Sequence, residues 1–175
     1  AVILKNIGLC FSRKGEYDKA LGYDERALEI ELQTVGELHH ETAKSYNDIG
    51  HVLYLKGNYE SAVSYLKKGL SLRIETLGEM HPETAWSYDN LGNVFNAMGD
   101  SEMSIIYAEK GLHIRLQTLG ELNMDTSWSY YILGGIYKSK GMTKEAIEYY
   151  EKAKEINIKV LGEFSPHLAG IYTNL

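Results

Sequence analysis

Apolar positions along this chain fall at helical spacing, and the same pattern returns at a fixed interval. Tyr46, Ile49 and Leu53 are separated by steps of three and four, as are Tyr88, Leu91 and Phe95, and again Tyr130, Leu133 and Tyr137. Such steps place side chains on one face of a helix. A glycine follows the middle member each time, at Gly50, Gly92 and Gly134, with Gly8 in the same register one interval earlier. A mid-helix glycine costs about 1 kcal/mol against alanine, so its return in every unit predicts close helix–helix contact. A second amphipathic pattern carries Ala20, Ala62 and Ala146, then Tyr23, Tyr65, Tyr107 and Tyr149, then Leu28, Leu70 and Leu112, then Ile30, Leu72, Ile114 and Ile156. Small residues let two helices approach, and large ones fill the gap to the next unit. Ser104 replaces the alanine in the third copy.

The two patterns alternate between regular glycine marks. Gly36, Gly78, Gly120 and Gly162, each followed by Glu, recur every 42 residues, and so do Gly15, Gly57, Gly99 and Gly141. A period in this range marks stacked repeats. The first set suits the position just beyond a helix end, where φ is positive. Pro82 suits the first turn of the following helix, and Glu83 suits the helix dipole there. Asn58 and Asp100 are natural N-caps. Each unit therefore reads as helix A, a tight turn, helix B and a loop. Helix A is expected over 1–13, 43–56, 85–98, 127–140 and, in part, 169–175; helix B over 15–35, 59–77, 101–119 and 143–161. The fold class is all-α: an α-α superhelix, or solenoid, of stacked antiparallel helix pairs. The expected units are 1–42, 43–84, 85–126 and 127–168, with a partial fifth at 169–175. The missing initial Met and the lack of polar capping helices predict a segment of a longer array.

Composition narrows the functions. The chain is 44% hydrophobic and 24% charged, with a formal net charge of −6. That balance is ordinary for a globular protein, and the sign argues against nucleic acid or an anionic membrane as the partner. One cysteine, Cys10, permits no internal disulfide, which fits a cytoplasmic location. No run reaches the length of a membrane span. Cys10 reads as a small buried hydrophobe, and Glu29 and Glu31 read as parts of a helix exterior. His39 and His81 recur at helix starts and read as structural. His113 stands alone on helix B. No triad, metal set, paired carboxylates in a pocket or phosphate-binding loop is present, so neither an enzyme nor a cofactor or metal site is expected.

The motifs now carry a resemblance. Tyr88-Asp89-Asn90-Leu91-Gly92 with Phe95, and Ala62 followed by Leu66, resemble the tetratricopeptide repeat, with Tyr where that family has Trp. The usual unit has 34 residues. The longer unit here, with Leu77-Gly78-Glu79-Met80-His81-Pro82-Glu83-Thr84-Ala85, resembles the kinesin light chain class of these repeats. The resemblance covers the whole chain. It implies that helix A lines a concave groove holding a peptide or helix of a partner protein.

On helix A the stripe left beside the core face is Trp86, Asn90, Asn93 and Ala97 in the third unit. It is Lys44, Asp48, His51 and Leu55 in the second, and Trp128, Ile132, Gly135 and Ser139 in the fourth. Asn47, Asp89 and Tyr131 run beside it, and Lys5 and Asn6 extend it into the first unit. The candidate groove residues are thus Asn6, Lys44, Asn47, Asp48, His51, Trp86, Asp89, Asn90, Asn93, Trp128 and Tyr131. Asparagine donates to and accepts from an extended backbone at once, and aromatics bury area at low entropic cost. The competing readings are a plain solvated face for the asparagines, and packing of Trp86 and Trp128 on Met80 and Leu122 of the preceding loops.

Three functions remain: a protein–protein interaction scaffold that binds a peptide in the groove, an architectural spacer or self-associating array, and a sensor region of a larger nucleotide-hydrolysing protein. Kinesin light chains are expected to bind acidic, Trp-containing peptides through basic groove residues. Here the stripe holds Asp48 and Asp89 beside Lys5, Lys44 and Lys138, which favours a neutral or basic peptide. Leu9 occupies the place of the first Asn in the pattern that grips a C-terminal carboxylate, which disfavours a chaperone co-factor role.

Overall fold

The computed structural model describes residues 1–166 and 168–175. Among them it shows nine helices and no strand: α1 Val2–Arg13, α2 Tyr17–Thr34, α3 His40–Lys56, α4 Tyr59–Leu77, α5 Pro82–Ala97, α6 Ser101–Thr118, α7 Met124–Ser139, α8 Thr143–Leu161 and α9 Leu168–Asn174. The odd-numbered helices are the A helices and the even-numbered ones the B helices.

The loops explain where each A helix begins. Helices α3, α5 and α7 start three residues before the expected positions 43, 85 and 127. Pro82 occupies the first helical position of α5, as the proline signal indicates, and the cap is the residue before it. His39 Nδ1 accepts from the Glu41 amide at 3.2 Å and His81 Nδ1 from the Glu83 amide at 3.2 Å, while Asn123 Oδ1 accepts from the Asp125 amide at 2.8 Å. Each satisfies one of the orphan donors of a helix start. Thr42, Thr84 and Thr126 then donate their hydroxyls to the carbonyls of Gly36, Gly78 and Gly120, closing each loop on itself. Asn58 and Asp100 cap α4 and α6 as expected.

Within a pair, the recurring mid-helix glycines are points of closest approach. A Cβ on Gly92 would lie 3.2 Å from the Ser104 carbonyl oxygen and 3.4 Å from the Ala108 amide nitrogen. On Gly50 it would lie 2.7 Å from the Leu66 side chain. Around these contacts Ile49, Leu66, Leu91 and Leu133 are fully buried, each worth roughly 1.5–3 kcal/mol relative to exposure. Ile30 departs from its register-mates. It is 39% exposed, whereas Leu72, Ile114 and Ile156 are buried, because α1 and α2 have a helix pair on one side only.

Successive pairs pack through α2 on α3, α4 on α5, α6 on α7 and α8 on α9. The A helices also meet one another, α3 with α5 and α5 with α7, more closely than the B helices do. The A side is therefore the inner side of the stack, and cross-links run along it. Lys5 pairs with Glu41 at 2.6 Å, Ser139 donates to Asn96 at 2.6 Å, and Asn174 donates to the Tyr131 hydroxyl at 3.1 Å.

A polar tie fixes each seam between pairs. One B-helix position, 42 residues apart, holds Glu31, Arg73, Arg115 and Asn157, all buried. Ser45 donates to Glu31 at 2.5 Å, Arg73 donates to Ser87 at 2.9 Å, and Arg115 donates to Ser129. Glu31 thus belongs to the interior and not to a helix exterior, a correction to the sequence reading. Its charge is met by Lys5 at 3.0 Å. Arg115 meets Asp89 at 2.5 Å, with both side chains buried. Cys10 is also corrected: its place on α1 is exposed.

Candidate functional site in the groove of the A helices

The inner face divides the candidate residues into three groups. The first is gathered in a cavity of about 540 Å³ between α1 and α3, with α2 behind them. Asn6, Lys44, Asp48 and His51 all line it, as the sequence predicts, together with Lys5 and Glu41. Lys44 and His51 are exposed, and Asp48 is half-buried. Burial pushes the Asp48 carboxyl above its ordinary range against the opposing pull of Lys44 and Lys5. The same burial works on Lys5, but its bonds to Glu41 and Glu31 outweigh it and raise the ammonium.

The second group lies on α5. Trp86 is 38% exposed, with the Arg115 guanidinium 5.0 Å from its ring centre. It thus covers the buried Arg115–Asp89 pair. Met80 lines a hollow with Tyr88 and Ile106, and the cation–π contact with Arg115 holds Trp86 on its own side. Asn90 and Asn93 are half-buried, and neither side chain has a hydrogen-bond partner among the described residues.

The third group lies at the last seam. Trp128 stacks on Tyr131 with ring centres 5.4 Å apart, and both line a smaller cavity of about 170 Å³ with Met124 and Ile171. Leu122 lines a separate hollow with Lys152 and Ile156.

Two predicted residues do not reach the groove surface. Asn47 is 3% exposed and donates to the Ala43 carbonyl at 2.9 Å; Asp89 is 1% exposed and faces Arg115. Burial drives the Asp89 carboxyl upward against the pull of Arg115. Room for both comes from glycines on the facing B helix: a Cβ on Gly69 would sit 2.2 Å from Asn47 Nδ2, and one on Gly111 2.4 Å from Asp89 Oδ1. Those glycines, in a column that holds Ala27 and Ala153 elsewhere, were the available signal.

Sequence reasoning missed one residue of the site. Asp24 on α2 lines the α1–α3 cavity and is only 4% exposed. It stands in the column of Leu66, Ala108 and Tyr150, and its carboxylate fills the space over Gly8, where a Cβ would lie 2.2 Å from Oδ1. It has no hydrogen-bond or ion-pair partner among the described residues. Burial, aided by Asp48, pushes its pKa up to about 7 against the pull of Lys5. A polar residue in an otherwise apolar column was the signal.

Among the described residues no helix is long and apolar enough to cross a membrane, and no group of His, Cys, Asp or Glu could hold a metal ion. No curated protein matches the sequence. Solved structures do. BtubC (BKLC) from P. vanneervenii is 25% identical with a TM-score of 0.78, over 94% of this chain and 65% of that one. The chain therefore spans less than two thirds of that relative. A protein from Podosopora anserina, described as a kinesin light chain with nearly identical TPR-like repeats, is 21% identical with a TM-score of 0.77, over 98% of this chain and 84% of that one. Profiles of the tetratricopeptide repeat match residues 1–75, 51–117 and 129–157. With the 42-residue period and the paired helices, the chain belongs to the tetratricopeptide repeat family.

Proposed function

We propose that this array is a protein-interaction scaffold that holds an extended peptide of a partner along the inner face of its A helices. Tetratricopeptide repeats generally mediate protein–protein interaction and are generally non-catalytic. The observation that carries the reading for this chain is the α1–α3 cavity and the polar stripe that leads from it. Asn6, Lys44, Asp48 and His51 meet in the one cavity, and Asn90 and Asn93 follow on α5 with free amides. A half-buried amide with no internal partner is suited to the alternating N–H and C=O of an extended backbone, and pairing removes the cost of leaving it unmade. Trp86 and Trp128 add apolar area beside that path.

Selection of a random peptide display library on the immobilised array tests the reading. Peptides enriched on the parent and lost on an Asn90→Ala/Asn93→Ala/Lys44→Ala variant that melts like the parent would support it. No enrichment, or enrichment equal on both, would overturn it and leave an architectural spacer as the better description.

A further inference from the structure

We infer that the α1–α3 cavity is a specificity pocket for a cationic side chain, arginine or lysine, of the bound peptide. The inference rests on the peptide-binding reading above. Its ground is two carboxylates without partners facing one cavity. Asp24 is nine-tenths buried or more, lies at the back of the cavity on the B helix, and makes no hydrogen bond or ion pair among the described residues. Asp48, on the wall formed by α3, likewise has no such partner.

The cations whose charge reaches them form no bond with either: Lys5 acts on Asp24, and Lys44, Lys5 and the buried Arg73, which is bonded to Ser87 and Glu83, act on Asp48. Lys5 is held by Glu31 at 3.0 Å and Glu41 at 2.6 Å, so its charge is already shared between two other carboxylates. Arg13 and Lys44 are exposed at the rim, where water screens them. A buried carboxylate left unpaired is costly, and the register shows that the fold does not demand it. Leu66 fills the equivalent place in the next pair, against Gly50 as Asp24 lies against Gly8. A residue that breaks the apolar column with no internal compensation is where a ligand contact is expected.

The walls match the rest of such a side chain. Leu9, Val52 and Leu55 line the same cavity. An apolar passage ending in carboxylates suits the aliphatic stem and charged head of arginine or lysine. The head would form charge-assisted hydrogen bonds with Asp24 and Asp48, roughly twice as strong as neutral ones.

The test uses the display selection and three follow-up variants. Peptides enriched on the parent are expected to share an arginine or lysine at one position. One enriched peptide is then titrated by fluorescence anisotropy beside its counterpart with citrulline (or acetyl-lysine) at that position. The neutral counterpart is expected to bind the parent about tenfold more weakly, the scale of one charged hydrogen bond. Against Asp24→Asn the difference between the two peptides should shrink, and against Asp24→Asn/Asp48→Asn they should bind alike. Asp24→Leu, which copies the Leu66 arrangement and should fold at least as well as the parent, should also weaken the preference. Groove-dependent enrichment of peptides with no shared cation overturns this inference while leaving the scaffold reading intact. So does a cation preference undiminished in both Asp24 variants. Absence of any groove-dependent peptide overturns both.

Discussion

At the scale of single residues, the interior of this array is decided by a few polar side chains held where apolar ones would pack. Asp24 has a folded pKa of about 7 against an ordinary 3.8. A carboxyl raised in this way binds its proton more tightly when folded. Its penalty is absent below the unfolded value and grows as pH rises from about 4 to about 7. Asp24→Leu is therefore expected to stabilise the array by a few kcal/mol at neutral pH and by little near pH 4. Urea denaturation of parent and variant at both ends of that window measures the difference, and equal stabilisation at both would refute the assignment. Arg115 presents the opposite case. Removing it strands the Asp89 carboxylate in the interior, so Arg115→Ala should cost about 3–5 kcal/mol. The Asp89→Ala/Arg115→Ala double variant should lose less than the two single losses added together. Part of that pair is already unsatisfied, since Asp89 Oδ1 and Arg115 Nε and Nη2 are buried without hydrogen-bond partners among the described residues.

At the scale of elements, the helices and their pairing were legible in the sequence because their causes are local. Glycine at Gly57 and Gly99, the caps at Asn58 and Asp100, and the three-and-four spacing all act within a few residues. Pro82 takes the first helical position, as its chemistry predicts, but the A-helix bounds at 43, 85 and 127 were three residues late because His39, His81 and Asn123 were not read as caps. The candidate site was only partly legible. The helical stripe names Lys44, Asp48 and His51, which line one cavity, but the same reasoning placed Asn47 and Asp89 on the surface. Their burial depends on Gly69 and Gly111 on a partner helix, a relation that no single-helix pattern contains. Asp24 escaped for the same reason, since its environment is built by α1 and α3. The close contact at Gly92 gives a direct test at this scale. Its neighbours are the Ser104 and Ala108 backbone, which cannot rotate away as a side chain can. Gly92→Leu should therefore destabilise by about 1–3 kcal/mol or more, seen as a clear fall in melting temperature; an unchanged value would show that the α5–α6 approach is not tight.

At the scale of the whole molecule, the pairs form a nearly one-dimensional stack in which each touches its immediate neighbours. Stability in such an array is approximately a sum of unit and seam contributions. Amide hydrogen exchange is expected to be slowest in α3, α4, α5 and α6, whose pairs have a pair on each side, and fastest in α1 and the seven-residue α9. Uniform protection from end to end would show instead that the array opens as one unit. The pairs themselves differ in charge. At equivalent positions the first pair carries Lys5 with Glu31, and the third carries Asp89 with Arg115. The two ties are the same contact with the signs exchanged, and each lies between the A and B helix of one unit. Repeats with a common length invite duplication, deletion and shuffling, and here the permitted cut is set by charge. Moving the first A helix alone into the third place would set Lys5 against Arg115, and the reverse exchange would set Asp89 against Glu31. Each such splice would bury two like charges together, so an A helix travels only with its own B helix, whereas a whole unit carries its tie with it.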